Sequence, residues 1–130
     1  MRRRPSLPAP IEPLAAAAAT VVLLVTVSPW ALGFSGSHAA VAGHIAFAMG
    51  FGPIAVLVSA LPAAAVSTAV GGAWLVASPW ALGYASMGVG AWSADLVGGI
   101  ALVALSAAAR RAGEPQGPRD VPAITDVDWP

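Results

Sequence analysis

The chain contains no cysteine and no lysine, so neither a disulfide nor a thiolate metal site can form. Charge of either sign is scarce. Six arginines balance six acidic residues, and charged side chains make up 9% of the 130 residues against 58% hydrophobic. That is about a third of the ~25% usual in soluble domains. Arg2, Arg3, Arg4 and Glu12 stand at one end, and between Pro13 and Ala109 the only charged side chain is Asp95. A surface facing water cannot be assembled from such a stretch. A basic nucleic-acid-binding face is excluded too, because the cations are too few to neutralise several phosphates.

What remains is apolar length. A membrane helix needs about 20 largely apolar residues to cross ~30 Å of hydrocarbon. The block divides into four such lengths, Leu14 to Gly33, Ala40 to Leu61, Ala63 to Gly83 and Val89 to Ala109. Turn-like residues separate them: Ser35-Gly36-Ser37, Pro62, and Ala85-Ser86-Met87-Gly88. A soluble bundle would need a polar stripe on each helix, and none has one. The alternation that a polar lumen imposes on barrel strands is also missing. The expected fold is therefore all-α, a four-helix transmembrane bundle with the lipid bilayer as its solvent.

Three N-terminal arginines before an apolar run also have the order of parts of a secretory leader. The proline-rich stretch from Pro5 to Pro13 interrupts that order, and an integral motif of the first span recurs later in the chain. An uncleaved first span is the expectation. Arg2 to Arg4 and Arg110-Arg111 then put both termini on the cytoplasmic side of a multi-pass cell-membrane protein. The tails, 1–13 and 110–130, are rich in proline and are expected to be disordered. The ending Asp126-Val127-Asp128-Trp129-Pro130 is a candidate docking peptide, with a plain tail the more ordinary reading.

The strongest sequence signal is a repeat. Ser28-Pro29-Trp30-Ala31-Leu32-Gly33-Phe34 returns fifty residues later as Ser78-Pro79-Trp80-Ala81-Leu82-Gly83-Tyr84. Six of the seven positions are identical and the seventh keeps an aromatic ring. Two tandem hairpins, 14–61 and 62–109, follow as the expected units. On these residues the chain resembles the SPW repeat family of small bacterial integral membrane proteins, which carry Ser-Pro-Trp in the first of two membrane helices per unit. The family's tryptophan-plus-polar pair early in the second helix is matched by Trp92-Ser93, whereas Val41-Ala42 departs from it. The resemblance implies an architecture and carries no established activity.

Proline at position 29 leaves the Val25 carbonyl without its helical donor, and hydrocarbon offers no water in its place. The expected solution is a break, with Ser28 as N-cap, Pro29 at the first helical position and Gly33 closing a short last turn; Ser78, Pro79 and Gly83 follow the same pattern. Trp30 and Trp80 are expected at the headgroups as anchors.

Asp95 and His44 are the expensive residues, because an intramembrane acid is a functional hypothesis by default. A shift of 51 superposes His44 on Asp95 in the duplicated frame. They are expected as a polar pair that either fixes packing or moves protons. No Gly-x-Ser-x-Gly elbow accompanies them, and two such residues make a poor zinc site, so no enzyme, metal or cofactor is expected. Gly71-Gly72, Gly98-Gly99, Gly43 and Gly50 are candidate points of close helix contact, and Trp74 is expected inside the bundle. The expected function is a structural or accessory module of the bilayer, with a homo-oligomer or membrane-protein partner. The alternative is a small transporter or channel component using His44 and Asp95.

Overall fold

A computed structural model of the chain describes residues 11–58 and 60–113. Four helices account for nearly all of them: α1 (Ile11–Ala31), α2 (His38–Val56), α3 (Pro62–Ala81) and α4 (Val89–Gly113). One turn of 3₁₀ helix, Ala85–Met87, precedes α4, and there is no strand among the described residues. Of the tails expected to be disordered, 11–13 and 110–113 are instead helical, as the first residues of α1 and the last of α4; the rest of both tails, and the C-terminal docking peptide, fall on 1–10 and 114–130, outside the described residues.

Helix ends follow local chemistry. α1 begins at Ile11, three residues before the expected Leu14, because Pro13 lies in the first turn, where its missing N–H would have no helical partner anyway. α2 starts where Ser37 accepts the Ala40 N–H at 3.2 Å. It stops at Val56 and does not reach Leu61. The helix passes through Pro53, and beyond Val56 the N–H groups of Leu57 and Val58 bond carbonyls only three residues back, which tightens the chain out of the α-helix. Leu61 caps α3 from an extended conformation, with Pro62 opening the helix. α4 runs on to Gly113 with Arg110 and Arg111 in its last turn, where cations favour the helix dipole.

Each helix packs on its neighbours in the chain, most extensively α3 on α4, and α4 returns to pack on α1. The main core joins Val22 and Val25 of α1, Phe47 of α2, Leu75 of α3 and Leu102 of α4. A smaller cluster of Phe34, Ala40, Tyr84 and Ala91 closes the end that carries both Ser-Pro-Trp segments. Glycine sets the closest approach: a Cβ on Gly72 would lie 2.7 Å from the Gly99 carbonyl oxygen, and one on Gly99 would press equally on Gly72. Gly98 faces the Val25 side chain, Gly71 the Phe51 ring and Gly43 the Leu82 side chain. Gly50 faces open space and is not a contact point. Trp74, expected inside, is 46% exposed.

Apolar residues face outward as well as inward. Leu23, Leu24, Met49, Val70, Val97 and Ile100 all point away from the bundle. Helices that are apolar all round suit lipid. Three of the four, α1 from Pro13, α2 and α4, are long and apolar enough to cross a membrane. α3 is not among them, since Ser67, Thr68, Gly71, Gly72, Ser78 and its two prolines dilute its apolar run.

The two kinds of glycine should separate on substitution. Gly99→Ala is expected to cost ~1–3 kcal/mol by overpacking, whereas Gly50→Ala gains up to ~1 kcal/mol of helix propensity. Unfolding of the purified variants in detergent measures both.

Candidate functional site

The two Ser-Pro steps do not break their helices. α1 continues through Ser28 and Pro29 to Ala31, and α3 through Ser78 and Pro79 to Ala81. The expected N-cap role of the serines is thereby corrected: their hydroxyls donate and do not cap. Ser28 Oγ donates to the Val25 carbonyl at 2.7 Å, and Ser78 Oγ to the Leu75 carbonyl at 2.9 Å. Those are the carbonyls that Pro29 and Pro79, four residues on, cannot serve. Each serine thus supplies the donor that the following proline removes, and the helix survives.

Past the prolines, Leu32 and Leu82 donate back to the Ser28 and Ser78 carbonyls. The chain then turns at Gly33 (φ 78°) and Gly83 (φ 76°), a left-handed conformation that glycine reaches without a Cβ penalty. These turns drive Phe34 and Tyr84 inward, where the rings stack with centroids 6.2 Å apart. Trp30 and Trp80 point outward, 52% and 59% exposed.

Below the rings lies the buried polar cluster. His44 and Asp95 each sit six residues into their helix, ~9 Å along its axis. His44 Nε2 is 2.8 Å from Asp95 Oδ1, and Asp95 has no exposed surface at all. Tyr84, which the sequence reading treats only as an aromatic substitution within the motif, completes the arrangement. Its hydroxyl donates to Asp95 Oδ2 at 2.5 Å and lies 2.9 Å from Ser78 Oγ. Burial, followed by the bond to Asp95, pushes the Tyr84 phenol above its usual range, so it remains a donor.

Proton positions follow from the partners. His44 Nδ1 faces the Ala40 carbonyl at 2.7 Å, and a carbonyl only accepts, so Nδ1 carries a hydrogen. Nε2 and Asp95 Oδ1 then share one further proton. The contacts from Ala40 through His44, Asp95, Tyr84 and Ser78 to Leu75 number five, whereas the net-neutral cluster holds four exchangeable protons. The shortfall falls on Ser78, whose single hydrogen faces both Leu75 and Tyr84. Ser28 has no such conflict, because its neighbour at the matching position is Phe34.

The predicted residues therefore divide. His44 and Asp95 meet directly, and Ser78 reaches Asp95 through Tyr84. Ser28 is buried but bonds only the Val25 carbonyl, Pro29 and Pro79 are buried with no donor of their own, and Trp30, Trp80, Gly33 and Gly83 stand apart from the cluster. The grooves between α1 and α4 and between α3 and α4 are lined without His44, Tyr84 or Asp95. No group of three metal-ligating side chains occurs among the described residues.

No protein-family model, curated protein or solved structure matches the chain.

The hydroxyl repair is open to a thermodynamic cycle. Ser28→Ala orphans the Val25 carbonyl and is expected to cost ~1–3 kcal/mol. In a Pro29→Ala background, where a backbone N–H returns, the same change should cost under ~0.5 kcal/mol. Unfolding free energies of the two single variants and the double variant in detergent give the coupling.

Proposed function

We propose that the protein is an integral membrane module whose four helices all cross the bilayer, with both termini cytoplasmic, and whose work is structural: a rigid accessory or self-associating unit. The observation that carries this reading is the buried clasp of His44, Asp95, Tyr84 and Ser78, which ties α2, α3 and α4 together and lines none of the grooves on the bundle's surface described above.

The crossing of α3 rests on geometry. Leu82, just past its end, abuts Gly43 near the start of α2, and Leu32 lies beside Gly90 at the start of α4. The end of α3 thus returns to the side from which α2 departed, and its 20 residues cover ~30 Å.

Two copies of one hairpin, 14–61 and 62–109, account for the arrangement around the clasp. Ser28, Phe34 and His44 correspond to Ser78, Tyr84 and Asp95 at shifts of 50, 50 and 51. Both serines bond the carbonyl three residues back, both glycines take the same φ, and both rings are buried. The corresponding residues His44 and Asp95 bond each other, as residues beside a pseudo-two-fold axis along the membrane normal would. This is the layout that the resemblance to SPW repeat proteins implies.

A buried acid beside a histidine also favours the second reading, proton or ion movement in a transporter or channel component. Reconstitution separates the two. For the structural module, proteoliposomes loaded with a pH-sensitive dye should leak no faster than protein-free vesicles. Asp95→Asn should cost ~3–5 kcal/mol of stability, since it removes one partner of a buried pair. A proton flux that the wild type carries and Asp95→Asn abolishes would transfer the assignment to transport.

A further inference from the structure

Away from the clasp, the half of the bundle where α4 ends presents a groove between α3 and α4, about 380 Å³ in volume. Val66, Val70 and Ala73 form one wall, Val103 and Ala107 the other, and Arg110 stands at its lower end. The spacing on α4 from Val103 to Arg110 makes the groove ~10 Å long and parallel to the helices.

Resting on the membrane reading above, we propose that this groove is a binding site for one anionic phospholipid, its acyl chain along the valine and alanine walls and its phosphate on the Arg110 guanidinium. Chemical complementarity selects the occupant. The walls offer nothing to a polar ligand: Ser106, the hydroxyl in the lining, donates to the Leu102 carbonyl of its own helix at 2.7 Å. The cation at the mouth offers nothing to a plain hydrocarbon. A molecule with a chain and an anion at one end uses both, and its headgroup would then lie where α4 leaves the bilayer. The guanidinium suits a phosphate through paired N–H donors, and its stem packs along the apolar wall while the head reaches the interface.

Two other grooves among the described residues lack this combination. The one between α1 and α4, about 450 Å³, is lined by apolar residues with Ser28 and Ser93 and has no charged side chain. A third, beside Trp30 and His38, lies at the opposite end of the bundle. Arg111 follows Arg110 directly but is not part of the groove lining, which makes it the internal control.

The test uses the full-length protein, delipidated in a neutral detergent, with lipid bound per protein read by native mass spectrometry and the unfolding temperature read in parallel. Phosphatidylglycerol should bind at one per chain and raise the unfolding temperature, while phosphatidylcholine with the same acyl chains and inorganic phosphate should do neither. Arg110→Gln should weaken phosphatidylglycerol binding about fivefold, the ratio that ~1 kcal/mol per basic residue represents. Arg111→Gln should leave it unchanged, and Ala73→Phe, which fills the groove, should remove it with both arginines in place. Equal losses from Arg110→Gln and Arg111→Gln would overturn the site in favour of general surface attraction, as would equal binding of the two lipids. Those results would leave the membrane reading standing. Recovery of folded protein from cells without detergent would end that reading first.

Discussion

This structure answers to one constraint: its few polar side chains are mostly buried among helices that are apolar on every face, three of them long and apolar enough to cross a membrane. In hydrocarbon a carbonyl or hydroxyl without a partner costs far more than in a solvated loop, so each must be served from within the chain. The two Ser-Pro steps show how closely sequence follows that demand. Proline removes the donor for one carbonyl, and the hydroxyl immediately before it replaces the donor. Thr20, Thr26 and Ser106 spend their hydrogens the same way, on the carbonyls four residues back. Thr68 Oγ1 is the one buried side-chain polar atom among the described residues left without a partner.

The same constraint links the local motif to the clasp. Because Ser78 keeps its helix intact through Pro79, the chain reaches Gly83 in register, and the left-handed turn there sends Tyr84 back into the bundle above Asp95. Asp95 then receives hydrogen-bond partners from α2 and from the segment after α3 together. The small residues of the α3–α4 seam allow these helices to pack closely enough for that geometry, with Gly72 and Gly99 back to back. A buried acid held from several elements resists loss of any one of them, which is why the arrangement suits a rigid unit.

Much of this was legible in the residues. Four helices follow from four apolar runs, and the pairing of His44 with Asp95, expected from their separation of 51 residues beside a motif recurring at 50, is present as a direct contact. The rest depended on choices that composition leaves open. A serine before proline can cap a new helix or repair the old one, and only the unbroken path to Ala31 decides between them. The hydroxyl on Tyr84 distinguishes it from Phe34, and that difference was the available signal that one copy of the motif bonds the acid while the other merely packs. Trp74 and Gly50 turned on rotational position within helices whose polar residues give no strong facing signal.

The claim beneath the whole account is that His44 and Asp95, buried together, depend on each other for their hydrogen bonds. A double-mutant cycle on His44→Gln and Asp95→Asn, read as unfolding free energy in detergent, tests it most directly. The account predicts that the two losses fall well short of additive, with a coupling of ~1–3 kcal/mol between residues in direct contact. Losses that sum within ~0.5 kcal/mol would mean that the two side chains do not depend on each other, and would contradict it.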